Sequence, residues 1–282
     1  MVELASLALV FVAGLVTALA TGVGALPFFL VDEVSDRWNV VLWGLASGIM
    51  VAASLFGLVG EGLAAADPWT LPVDLGLSAT VRTWIPLVIG LLAGVLLVVV
   101  AHSVIEGAEV DPHQYEEASY RKLVLILGVL TVHSFPEGVA IGVSFADLGL
   151  GEGGISILGL SVPLLAVFMT VAISIHNVPE GLAISIPLRA MDVPPWRMVW
   201  WAVFSSLPQP IGAVLAFYFV RVAREFLPVG FGFAAGAMIY LVLSEFIPEA
   251  MDVGKGLPSR GYPELAAGVT AGMLLMVPLA LV

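Results

Sequence analysis

Two segments, His133-Ser134-Phe135-Pro136-Glu137-Gly138 and His176-Asn177-Val178-Pro179-Glu180-Gly181, each place a histidine and a glutamate four residues apart inside a long apolar run. On an α-helix residues at that spacing share a face. His133 is therefore expected beside Glu137 and His176 beside Glu180, with Ser134 and Asn177 on the same broad side. A neutral imidazole next to a carboxylate suits a divalent cation of the zinc, iron or manganese group. One His-x-x-x-Glu pair arises readily by chance, but two copies that continue alike, as Val139-Ala140-Ile141 and Leu182-Ala183-Ile184, do not. In hydrocarbon each carboxylate would cost at least roughly 2.5–3.5 kcal/mol, so Glu137 and Glu180 must face protein or a cavity. Pro136 and Pro179 lack an N–H and displace the carbonyl four residues back, so each helix is expected to loosen one residue before its histidine.

The elements that carry these residues belong to a membrane protein. The chain of 282 residues is 60% hydrophobic and only 11% charged, with a mean hydropathy of +1.07. A water-soluble domain of that size exposes far more charge. The net charge of −12 disfavours nucleic acid and favours cations. With no cysteine, thiolate metal sites and cysteine nucleophiles are excluded, and a Cu(I) specialist is disfavoured despite nine methionines. The apolar stretch near the N-terminus is too long for a signal-peptide core and reads as a first span retained in the mature protein.

Hydropathy predicts an all-α integral membrane protein, a single polytopic domain over 1–282 with eight spans at about 5–30, 40–63, 84–104, 123–145, 158–188, 198–222, 229–246 and 265–282. The fourth and fifth spans carry the motifs and are joined by one Gly-rich turn, so they run antiparallel and form an inverted-repeat core facing a common site. Gln209, flanked by Pro208 and Pro210, is a further intramembrane polar residue where the sixth helix should break. Met50 in the second span offers a thioether, although packing is the commoner use of such a residue. His102 and Glu106, at the end of the third span, read as interfacial, and 111–117, with His113, as a solvated loop. Basic residues are in excess in loops opposite the termini, so both termini should face outward and loop 105–122 the cytoplasm.

At this point the chain resembles the ZIP (Zrt-/Irt-like protein) family of divalent metal transporters, prokaryotic type: eight spans, His-x-x-Pro-Glu-Gly in the fourth and fifth, and Glu245-Phe246-Ile247-Pro248-Glu249-Ala250 in the seventh. The resemblance implies that His133, Glu137, His176 and Glu180 are the primary ligands, with the glutamates placed to bridge two ions. It implies that Ser134 and Asn177 serve a second ion, that Met50 approaches the first, and that Glu245 is an exit residue on the cytoplasmic side. Gln209 stands where many such members have glutamate, which weakens the second position. The function implied is import of Zn2+, with Cd2+, Fe2+ or Mn2+ as alternatives, by an elevator-type motion of spans one, four, five and six against the others. The expected setting is the cell (inner) membrane, with divalent metal ions, the lipid bilayer and a second copy in a homodimer as partners and no nucleic acid. An intramembrane zinc-dependent hydrolase and a non-transporting metal sensor are the rivals. The order His-x-x-Pro-Glu differs from His-Glu-x-x-His, and no soluble output domain is in the sequence.

Overall fold

A computed structural model describes residues 4–31, 33–65, 78–107, 117–150, 154–157 and 159–280. Among the described residues the architecture is all-α apart from one hairpin. Helix α1 covers Leu4–Val23, α2 Asp36–Ala52 and α3 Gly60–Ala64, the last two joined by a π-helical turn at Ala53–Val59. Helices α4 (Ala79–Gly107), α5 (Glu117–Ser144) and α6 (Leu164–Ala190) follow, then α7 (Pro195–Ser205) and α8 (Pro208–Val222). A second π turn, Val242–Phe246, links α9 (Leu227–Leu241) to α10 (Ile247–Val253), and α11 (Tyr262–Leu275) and α12 (Val277–Ala280) complete the order. Among the described residues six helical segments are long and apolar enough to cross a membrane: Leu4–Val23, Asp36–Ala64, Ala79–Ile105, Leu164–Ala190, Pro195–Val222 and Arg224–Gly256. Their outward faces carry residues such as Leu92, Leu96, Trp200 and Leu215, as a lipid-facing surface requires.

Several local features follow from single residues. The first apolar run reaches Leu30, yet α1 stops at Val23. Gly24 and Ala25 donate to the carbonyls of Thr21 and Gly22, three residues back, tightening the last turn into the 3-10 segment Leu26–Phe29. The sixth helix breaks at Ser206-Leu207, immediately before Pro208, which cannot continue the hydrogen-bond ladder. By contrast α5 continues through Pro136, and α6 through Pro179 and Pro187, without interruption. The loosening expected before each histidine therefore does not break either helix. Between α5 and α6, β1 (Ile155–Ile157) and β2 (Leu160–Val162) pair antiparallel, with Gly159 at φ 80° in the turn.

Glycine decides how closely the helices approach. Gly90 and Gly94 of α4 lie against the carbonyls of Val229 and Phe233 in α9, while Gly232 and Gly236 of α9 lie against those of Leu87 and Leu91 in α4. The same reciprocal arrangement joins Gly44 and Gly48 of α2 to Gly268 and Gly272 of α11. In the other half, Gly138 and Gly142 of α5 meet the carbonyls of Gln209 and Ala213 in α8, and Gly181 of α6 meets that of Thr21 in α1. The close backbone approaches thus join α1, α6 and α8, and α8 with α5, into one group, and form two further pairs, α4 with α9 and α2 with α11. Where described glycines face across the boundary, as Gly230 toward Val143 and Gly128 toward Ile105, they meet side chains only.

Two predictions follow. Gly236→Leu should force α4 and α9 apart and cost about 1–3 kcal/mol, read as a lower unfolding midpoint in detergent, whereas Gly256→Ala, with nothing within 4 Å, should leave it unchanged. At the first turn of α11, ahead of the apolar run, Arg37 Nε lies 2.8 Å from Glu264 Oε1 and holds that carboxyl below the usual range. A carboxyl depressed on folding stabilises the fold above its unfolded pKa, and that contribution fades as pH falls through the lower folded value. Wild-type stability should therefore show an acid-side loss that is missing in Glu264→Gln, measured as midpoint against pH.

Candidate metal centre

Helix α5 presents Glu137, and one turn of α6 presents His176 and Glu180. All three side chains are buried. His176 Nε2 lies 3.3 Å from Glu137 Oε1 and 4.0 Å from Glu180 Oε1. One ligand atom from each residue falls within 4.8 Å of the others, the spacing of atoms that share a cation. Among the described residues no Lys or Arg pairs with either carboxylate. Glu180 Oε1 and Asn177 Oδ1 are buried acceptors without a donor among the described residues. Such atoms are rare in folded proteins and mark a place where something polar binds.

Neutral groups hold this cluster. Gln209 Nε2 donates to Glu137 Oε2. Gln209 Oε1 accepts from Asn177 Nδ2 at 3.1 Å and from the Thr17 hydroxyl at 2.6 Å, and Asn177 Nδ2 also donates to the Thr17 carbonyl at 2.8 Å. One turn further along α1, the Thr21 and Ser206 hydroxyls lie 2.7 Å apart. Thr17 was missed in the sequence; its signal was two threonines four apart in a span otherwise apolar and small.

The two copies of the motif sit in different surroundings. His133 does not join the Glu137, His176 and Glu180 group. Its Nε2 lies 2.9 Å from His102 Nε2 of α4, and His102 Nδ1 lies 3.4 Å from Glu245 Oε1. The interfacial reading of His102 is thereby corrected: its side chain is only 13% exposed and bridges His133 to Glu245. The available signal was His102-x-x-x-Glu106, the spacing of the motif itself. Glu245 sits in the π turn Val242–Phe246, a distortion Pro248 favours because it cannot donate to the helix. Ser134 is buried on α5 outside the three-residue group, and Met50 is buried in the apolar core of α2. His113 falls outside the described residues.

The profile of the ZIP zinc transporter family matches residues 101–280. A putative zinc transporter of Arabidopsis thaliana is 40% identical over 237 residues, 84% of this chain, which spans only 33% of that longer protein. The zinc transporter ZupT of Corynebacterium aurimucosum is 30% identical over 290 residues, 99% of each chain. The zinc transporter ZIPB of Bordetella bronchiseptica is 33% identical over 265 residues, 92% of this chain and 76% of its own. Matched by the family profile over more than half its length and by a relative along nearly all of it, the chain, a multi-pass membrane protein, belongs to the ZIP zinc transporter family.

Proposed function

We propose that the chain moves divalent transition-metal ions, zinc foremost, across the membrane into the cytoplasm through Glu137, His176 and Glu180. The observation that carries this reading is a pair of buried carboxylates and an imidazole within one cation's reach, unmatched by any Lys or Arg among the described residues. Family membership supports transport over the hydrolase and sensor readings. Nitrogen and oxygen ligands also accept cadmium, iron or manganese.

The motion that fits is one body sliding past the other. Glu137, His176, Glu180, Gln209, Asn177 and Thr17 all lie on α1 and α5–α8. His102 and Glu245 lie on the second body. Backbone-to-backbone glycine contacts lock α1, α5, α6 and α8 together and pair α4 with α9 and α2 with α11, while side-chain contacts at the boundary can exchange partners. In this reading, with both termini outward, metal leaves the cluster by way of His133 to His102 and Glu245. The supporting observation is that His133···His102 crosses the boundary between the bodies and Glu245 follows directly.

Purified protein in liposomes should take up zinc saturably. Removing a ligand in His176→Ala or Glu180→Ala should lower uptake by more than the roughly 10–100-fold typical of partners that only orient a ligand. Wild-type protein that binds zinc yet moves none under any gradient would sink the transport reading. His102→Phe should keep zinc binding at the cluster and slow uptake by about tenfold, within the same range for supporting partners. Unaltered uptake in that variant would remove His102 from the path.

A further inference from the structure

One oxygen of Glu137 is already taken. Its Oε1 faces His176 Nε2 at 3.3 Å, and its Oε2 receives the Gln209 amide. The orientation of that amide follows from its surroundings. The Thr17 main-chain carbonyl only accepts, so the Asn177 amide atom 2.8 Å from it must be the nitrogen. The second hydrogen of that nitrogen points at Gln209 3.1 Å away, so the Gln209 atom there must be the oxygen; the Thr17 hydroxyl, whose one hydrogen is shared with the Gly14 carbonyl at 2.8 Å, lies 2.6 Å from it. What remains of Gln209 is its NH2, aimed at a carboxylate. A flip would set NH2 against NH2 at one end and oxygen against carboxylate at the other. Acceptors at both ends of the chain therefore fix both amides. The main chain adds a clamp, since Gly138 lies directly against the Gln209 carbonyl and holds α8 at the level of Glu137.

A carboxylate that bridges two cations offers one oxygen to each, and an N–H directed at one of those oxygens presents positive charge where the second cation would sit. We propose that Gln209, oriented through Asn177 and Thr17, fills the second cation position at Glu137 with its own amide, so that this site holds a single divalent ion. The inference rests on Glu137, His176 and Glu180 being the transport site.

The test counts zinc bound by wild-type protein, Gln209→Glu and Gln209→Ala in lipid nanodiscs, by equilibrium dialysis with elemental analysis. Ions at the site are those lost when Glu180→Ala is added to each. Wild type should hold one and Gln209→Glu two. Gln209→Ala, which removes the donor without adding charge, should keep the first ion and admit a second at zinc concentrations roughly tenfold or more higher. Two ions in the wild type, or a single saturation step in both variants, would overturn the inference while leaving transport intact. No site-dependent zinc in the wild type would overturn it together with the transport-site reading.

Discussion

Two carboxylates buried side by side, with no fixed cation among the described residues to answer them, are the constraint on which the rest of the structure turns. Removing an ion from water costs several kcal/mol even after relaxation. A hydrogen bond to a charged group returns only about 1.5–3 kcal/mol. The Gln209 amide on Glu137 therefore offsets part of the deficit at that residue and none at Glu180, whose Oε1 has no donor among the described residues. An arginine would neutralise the site permanently. Neutral donors hold the geometry while leaving the charge for an exchangeable ion, and the surrounding groups, Gln209, Asn177 and Thr17, are all of that kind.

Holding such a cluster rigid while its body moves, as proposed, asks different things of different helix contacts. Within a body, glycine lets backbones touch, and a touching backbone cannot slide by one residue without a collision. Gly138 on Gln209 and Gly181 on Thr21 are contacts of this type, and both join helices that carry the cluster. Association in a bilayer depends on such packing because lipid is as apolar as leucine. At the boundary Val143 and Ile105 present side chains to Gly230 and Gly128, and rotamers can readjust there. Rigidity and freedom are thus distributed by whether a glycine meets backbone or side chain on its partner.

What was legible in the sequence was local. The four-residue spacing of His176 and Glu180 and the helix break at Pro208 are relations within an element or between neighbours. What escaped was set by contact between distant segments. Thr17 meets Gln209 across 192 residues and Asn177 across 160, and His102 meets His133 across 31. The repeat itself misled on one point. Identical spacing suggested equal roles, but a helix offers a face about 100° wide, and the neighbouring helix chooses which part of it is used. Helix α4 draws His133 toward His102, whereas His176 turns to Glu137.

Gln209 bears on the energetics of movement as well as on counting. In the proposed transport, with the imidazole neutral and both glutamates ionised once an ion is bound, the site would balance two negative charges against one divalent ion. In the proposed motion, a body carrying a neutral load would cross the membrane field at little electrical cost. A carboxylate in place of Gln209 would leave a third charge, and each uncompensated charge moved through the full field is worth about 2.3 kcal/mol per 100 mV. The amide keeps the stoichiometry of charge at two to two.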